Sequence, residues 1–303
     1  MDVIETHGLT KEYGRKRAVD ELDMHVRTGD IYGFVGRNGA GKSTTMKMVA
    51  GLVEPTAGEI SLFGKPISRD ATPSRVGSLI ESPDILPNMS AFDNLMAKAL
   101  AVGVAGARHQ CEELLCLFGL KNAGEKRAKG LSLGMRQRLG VALALVGTPD
   151  LLLLDEPFNG LDPEATRALR NTLVELNRER GVTIVVSSHV LDQLERMATR
   201  YGVIRSGHMA DEFTEEELHE ACGSSVRVRT TDTSRALAVL EQSLPKARFR
   251  ADPDGSVLVS GATAEDVSRI LHEADAQVLE LAMLERDIED YFVDLMSDDG
   301  EGE

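Results

Sequence analysis

Gly36-Arg37-Asn38-Gly39-Ala40-Gly41-Lys42-Ser43-Thr44 is the stretch around which the chain is organised. It fits the pattern Gly, four residues, Gly-Lys-Ser/Thr. An apolar run from Ile31 to Val35 precedes it and reads as a buried strand, and Lys42 to Ala50 reads as a helix. The motif acquires meaning from that strand–loop–helix context. Glycines let backbone approach an anion closely, successive N–H groups form a nest, and the helix adds its N-terminal partial charge. Gly36, Asn38, Gly39, Gly41, Lys42, Ser43 and Thr44 are therefore candidate phosphate-binding residues. Lys42 is placed to reach β- and γ-phosphates and Ser43 to ligate Mg²⁺. The alternative, a plain Gly-rich turn, would not need the flanking strand and helix.

Downstream residues supply matching chemistry. Leu151-Leu152-Leu153-Leu154-Asp155-Glu156 is an apolar strand ending in two carboxylates, and Pro157 follows. Beside a phosphate-binding loop, Asp155 can hold Mg²⁺ and Glu156 can polarise an attacking water. Val182 to Ser188 is a β-branched strand that runs into His189, a candidate γ-phosphate sensor. Helices are predicted at about 164–180 and 191–200, and a strand at 201–205. Strands alternating with helices imply a mostly parallel sheet, whose ligands sit beyond the strand C-termini. Lys42, Asp155, Glu156 and His189 all lie just past such ends.

The rest of the chain frames this centre. Residues 1–30 alternate weakly and suggest short strands with a Gly-Asp turn at 29–30. Tyr13 is an aromatic upstream of the loop, able to stack on a base or to serve only in packing. Glu59 to Phe63 and Val76 to Ile80 read as strands. The pattern from Ala91 to about Ala144 is helical, punctuated by Gly103, Gly106, Gly119 and Gly130.

The 303 residues suffice for about two domains. The net charge of −15 argues against general nucleic-acid binding. That charge is uneven: Cys222 to Glu303 holds 18 acids against 8 bases. The step suggests a boundary near 222, with a first domain over 1–221, an accessory α+β domain over 222–296 and an acidic, disordered tail over 297–303. The second domain is predicted as β-α-β-β-α-β-α, a split βαβ-type sandwich turning at Asp252-Pro253-Asp254-Gly255. It carries no catalytic cluster and reads as a regulatory or docking module. Three cysteines, Cys111, Cys116 and Cys222, make no metal pattern and suggest a reducing cytosol. No signal peptide is expected, and no run reaches the roughly 18 apolar residues of a membrane helix.

Leu131-Ser132-Leu133-Gly134-Met135-Arg136-Gln137-Arg138 assigns the class. A small-residue loop opens a helix there, so its N–H groups and the Ser132 hydroxyl can bind phosphate. A second phosphate-binding helix start is redundant within one molecule but makes sense if it completes a partner's site. With these motifs in this order, residues 3–215 resemble the nucleotide-binding subunit of ABC transporters. The resemblance rests on the Walker A run at 36–44, a signature-like run at 131–137, the Walker B run at 151–156, a D-loop at Asn159–Asp162 and the switch His189. It implies an α/β P-loop NTPase fold with a mostly parallel core sheet, an N-terminal antiparallel β part and a helical subdomain over about 85–145. It also implies an ATPase that binds ATP and Mg²⁺ in a head-to-tail homodimeric sandwich. Lys42, Ser43, Asp155, Glu156 and His189 of one subunit would then face Ser132 and Gly134 of the other, with Asp162 near the junction. Tyr13 falls where that family stacks an aromatic on adenine. A separate polytopic permease would hold the subunit at the cytoplasmic face of the membrane.

Two departures stand out. Leu133 and Met135 replace the usual glycine and glutamine of the signature. Glu81, in Gly77-Ser78-Leu79-Ile80-Glu81-Ser82-Pro83, takes the place of the Q-loop glutamine and is a candidate Mg²⁺ ligand. A carboxylate there should make ATP engagement unusually Mg²⁺-dependent. With the Leu-Pro-Asn-Met-Ser context, these features are similar to ATPases of bacitracin-resistance and lantibiotic self-protection exporters. Two other readings compete. A soluble ABC ATPase acting on ribosomes or DNA would normally carry tandem domains or a long coiled coil, and a non-catalytic ATP-gated scaffold would not need Glu156 and His189.

Overall fold

The computed structural model describes residues 1–67, 75–222, 225–245, 247–252, 255–284 and 288–297. Two compact units divide the chain, Met1–Phe213 with the stretch from Leu295, and Thr214–Asp294.

The first unit opens with a long hairpin, β1 (Asp2–Tyr13) and β2 (Lys16–Arg27), paired antiparallel with several register shifts. These strands replace the short ones expected over 1–30. Bulges interrupt the alternation, and Glu21 adopts φ 47° inside β2. The chain then forms β3 (Ile31–Val35), α1 (Lys42–Val49), β4 (Ala57–Leu62), β5 (Lys65–Pro66) and β6 (Val76–Leu79). Helices α2 (Ala91–Ala101), α3 (Ala107–Leu117) and α4 (Leu133–Ala144) occupy the segment expected to be helical. After them come β7 (Leu151–Asp155), α5 (Pro163–Arg180), β8 (Thr183–Ser188), α6 (Leu191–Glu195), β9 (Arg200–Arg205) and β10 (His208–Thr214).

Two sheets result. One is four-stranded, in the order β2-β1-β4-β5; the other is six-stranded, β10-β9-β3-β8-β7-β6. In the second, β9, β3, β8, β7 and β6 are mutually parallel. All five residues of β3 and of β7 are buried, as strands covered on both faces require. Met46, Met48 and Val49 of α1 share one core with Leu9, Val19 and Leu22 of the hairpin and with Leu151 and Leu153 of β7. The phosphate-loop helix is thus anchored to both sheets. Helix α6 is shorter than the stretch expected over 191–200. Thr199 N donates to Ile31 O at 2.8 Å, drawing the chain into pairing with β3.

In the second unit, α7 (Glu215–Cys222) precedes β11 (Ser225–Thr230), α8 (Thr233–Ser243), β12 (Arg248–Ala251), β13 (Ser256–Ser260), α9 (Ala264–Glu273) and β14 (Val278–Leu284). Helix α10 (Ile288–Met296) follows. The sheet is antiparallel, in the order β12-β13-β11-β14. Ala236 and Leu240 of α8 and Val267 and Leu271 of α9 pack with Val226, Val228, Val257 and Val259. The packing division at 213/214 lies ahead of the charge step at 222, because α7 groups with the second unit. Pro253, Asp254 and tail residues 298–303 lie outside the described residues.

Candidate active site

Strand register builds the site. Val35 at the end of β3 pairs with Ser188 at the end of β8, and Ser187 pairs with Asp155 at the end of β7. Gly36, Glu156 and His189 are each the next residue out, so all three emerge on one rim of the parallel sheet. Hydrophobicity of the strands fixes that register; the rim then collects what each strand presents next.

The glycines of the loop have distinct tasks. Gly39 and Gly41 have φ of 84° and 120°, a region costly for side chains. A Cβ at Gly36 would fall 2.5 Å from Ile204 O, and one at Gly41 2.6 Å from Ala18 O. The loop is therefore pressed against β9 and β2, and only glycine fits there. Arg37, Asn38 and Gly39 are exposed at its crest, whereas Ser43 and Thr44 are half-buried at the start of α1.

Lys42 is 6% exposed. Its Nζ donates to Gly36 O at 2.6 Å and lies 3.6 Å from Glu156 Oε1, an ion pair too long for a hydrogen bond. Burial pushes the ammonium pKa below its ordinary value, opposed by the charges of Glu156 and Asp155. Glu156 itself has φ 48°, unusual for a residue with a side chain. Its Oε2 lies 2.9 Å from His189 Nδ1. Its Oε1 is buried and has no hydrogen-bond partner. Such an atom is costly unless something comes to it, such as a water or ligand proton.

Asp155 is buried and accepts from the Ser187 hydroxyl at 2.6 Å, while the same hydroxyl oxygen accepts from Glu156 N at 2.9 Å. Ser187 thereby holds the side chain of one acid and the backbone of the next. Its position gave a hint, since it is polar at the end of an otherwise apolar strand; its double role depends on the β7–β8 register.

Glu81 makes its contact with α1 rather than with the cluster just described. Leu79 pairs with Leu154, so Glu81 exits on the same rim, and its φ is 65°. Its carboxylate, 64% exposed, forms an ion pair with Lys47 of α1. Tyr13, 51% exposed at the end of β1, has Lys11 Nζ 5.2 Å from its ring centroid and keeps much of its surface open.

Ser132 and Asp162 both cap helices. The Ser132 hydroxyl accepts from Met135 N at 3.2 Å, which leaves its proton for an outside acceptor. Asp162 Oδ1 accepts from Ala165 N at 2.8 Å. Gly134 needs no glycine for internal reasons: its φ is not positive, and an added Cβ would make ordinary contacts of 3.5 Å with Leu161 and 3.6 Å with Ala165. The hydrogen bonds and ion pairs described for Lys42, Asp155, Glu156 and His189 link them to one another, to Ser187 or to Gly36; those described for Ser132 and Asp162 do not reach that cluster.

Comparison with known proteins places these features in context. A family model described as ABC transporter matches residues 19–159, and a domain of unknown function matches residues 224–289. The bacitracin transport ATP-binding protein BcrA of Bacillus licheniformis is 36% identical over 298 residues, covering 97% of each chain. The lantibiotic transport ATP-binding protein SrtF of Streptococcus pyogenes is 40% identical over 205 residues, 68% of this chain and 88% of that one. Among solved structures, a dimeric post-hydrolysis state of an ATP-binding cassette bound to ADP and Pi superposes with a TM-score of 0.65. It is 22% identical and covers 70% of this chain and 98% of that one.

Proposed function

Because this chain belongs to the ABC transporter family as an ATP-binding, ATP-hydrolysing subunit, we propose that it is the motor of an exporter of peptide antibiotics, serving resistance or self-protection. The similarity to BcrA extends over 97% of the chain, the second unit included, and supports that narrower class. Among the described residues no helix is long and apolar enough to cross a membrane. On this reading a separate polytopic permease holds the subunit at its cytoplasmic side. An open groove lined by Ser82, Pro83, Ile85, Leu133 and Gln137, beside both Glu81 and the start of α4, suits a permease segment.

One observation carries the chemistry: Oε1 of Glu156 is buried and accepts no hydrogen bond, with the Lys42 ammonium 3.6 Å away. His189 holds the other oxygen, so the carboxylate is oriented before substrate arrives. Glu156 accepts the proton of the attacking water as the water oxygen bonds to the γ-phosphorus and the bond from that phosphorus to the bridging oxygen breaks, with ADP as the leaving group. Lys42 and the N–H groups of Gly39, Gly41 and Ser43 take up charge on the phosphate oxygens, while that of Ala40 is spent on Arg37 O at 3.1 Å. His189 contacts the γ-phosphate and registers its loss. The residues present also suit Mg²⁺: Ser43 and Asp155 would hold it at the rim, and Glu81 would add a third oxygen donor on leaving its ion pair with Lys47. Mg²⁺ bound there supplies charge neutralisation on the phosphates. Tyr13 stacks on adenine. The second half of the site, Ser132, Gly134 and Asp162, comes from an identical subunit. Hydrolysis releases that clamp, and the motion drives the permease.

Affinity capture from native membranes with Glu156→Gln and ATP–Mg²⁺ tests this reading. A polytopic membrane protein in stoichiometric yield is expected. Ribosomal or DNA-associated partners without one would overturn the transport role and leave the phosphate chemistry standing.

A further inference from the structure

Leu133 occupies a position with no part in the chemistry above. It is the first residue of α4, between the capping Ser132 and Gly134, and is 51% exposed. Its covered side lies on the loop after Glu156. A Cβ on Gly160 would fall 2.7 Å from Leu133 Cδ2, so the leucine sits directly over that glycine. Gly160 has φ 71°, and two turns fold the loop back: Asn159 N donates to Glu156 O at 3.1 Å and Leu161 N to Phe158 O at 3.2 Å. One residue on, the apolar contact continues, with Leu161 Cδ2 3.5 Å from the place of a Cβ on Gly134. The N-terminal ends of α4 and α5 are thereby joined by an interlock, Leu133 on Gly160 and Leu161 against Gly134.

We infer that Leu133 is a positioning residue: it locks the start of α4 to the loop before α5, so that Ser132 and Asp162 are presented to the partner's nucleotide as one preformed surface. This rests on the composite homodimeric site proposed above. A glycine at position 133 could not make the contact, since the atoms within 4 Å of that Cβ place, Cδ2 and Cγ, belong to the leucine side chain. The two helix ends would then have to be ordered when the dimer closes, and that ordering costs affinity. The loop starts at Glu156, so the same interlock joins the surface offered to the partner to the chain's own carboxylate.

The test uses the full chain carrying Glu156→Gln, which removes turnover as a complication. Dimerisation with ATP–Mg²⁺ is measured by analytical ultracentrifugation, and nucleotide binding to the monomer with a fluorescent ATP analogue. Leu133→Ala keeps helix propensity, so fraying of α4 is not introduced. The expected result is a rise of about tenfold in the dimer dissociation constant, the scale of one half-covered leucine. Monomer nucleotide binding should be unchanged and dimerisation restored by Leu133→Met. Unchanged dimerisation in Leu133→Ala would overturn the inference, as would parallel loss of nucleotide binding and dimerisation. If the parent itself stays monomeric in ATP–Mg²⁺, the composite-site reading fails first and the role of Leu133 falls with it.

Discussion

Replacing Ser187 by alanine deletes one hydroxyl and breaks two hydrogen bonds at the rim of the parallel sheet. One is the 2.6 Å donation to buried Asp155, and the other the 2.9 Å bond accepted from Glu156 N. The first is charge-assisted, and bonds of that kind contribute about 1.5–3 kcal/mol. The second leaves an N–H without its acceptor at a residue already held at φ 48°, for roughly 1 kcal/mol more. The sum, about 3 kcal/mol, would lower the melting temperature by roughly 6–10 °C. The kinetic effect is the sharper test. Asp155 and Glu156 keep their identities, but the backbone that aims Glu156 loses its tether. Misplacement of a catalytic group by about 1 Å can cost around a hundredfold, so kcat should fall by tenfold or more. KM for ATP should change less, because the Gly36–Thr44 loop is held by its own contacts with β9 and β2. Thermal denaturation and steady-state ATP hydrolysis supply both numbers. A Ser187→Ala protein that melts lower yet keeps kcat within about twofold of wild type would refute the claim that this hydroxyl orients the acids.

Three other perturbations have signs that follow from the geometry. Gly134→Ala should raise the stability of the isolated subunit by up to about 1 kcal/mol, since glycine inside a helix is costly and an added Cβ has room; it should lower ATP turnover if a partner's nucleotide approaches there, and unchanged turnover would count against that. Glu81→Gln should leave stability within about 0.5 kcal/mol, because the Lys47 pair is exposed, while raising the Mg²⁺ concentration needed for half-maximal turnover; an unchanged Mg²⁺ profile would remove Glu81 from the metal's surroundings. Tyr32 is fully buried and donates to Glu212 Oε1 at 2.6 Å, and burial, then the Glu212 charge, raise its pKa well above 10.0. A raised folded-state value keeps stability intact below the unfolded pKa and erodes it as pH rises beyond it. Urea titrations from about pH 8 to about pH 11 should therefore show a shallower alkaline loss in Tyr32→Phe than in wild type, and identical slopes would contradict this.

What could be read from the sequence was local, and what could not was set by register and packing. The strand–loop–helix at 31–50 and the carboxylates at 155–156 are each written in a few adjacent residues. Their convergence follows from one rule, that parallel strands present their ligands at one rim. The double bond of Ser187 was out of reach, because it needs Ser187 opposite Asp155 rather than one residue off. The ion pair of Glu81 with Lys47 depends on where α1 packs, which the core shared with both sheets decides. The full length of β1 and β2 was hidden by register shifts that break the alternation. Strand β10 and helix α7 are not assigned from the sequence: β10 mixes exposed and half-buried positions and lacks a continuous apolar stripe, and α7 opens on three consecutive glutamates. Leu133 was visible as a departure from a motif, but its reason, the contact with Gly160, exists only in three dimensions.

The roles assigned to Ser132, Gly134 and Asp162 depend on a site completed by a second chain. The most direct measurement of that claim is specific ATPase activity against protein concentration, at saturating ATP–Mg²⁺. Two half-sites that must meet give a specific activity that climbs with concentration and levels off once the dimer is full. A specific activity that stays flat down to the most dilute sample, with the protein monomeric throughout, would mean that one chain hydrolyses ATP alone. Ser132, Gly134 and Asp162 would then have no place in the reaction.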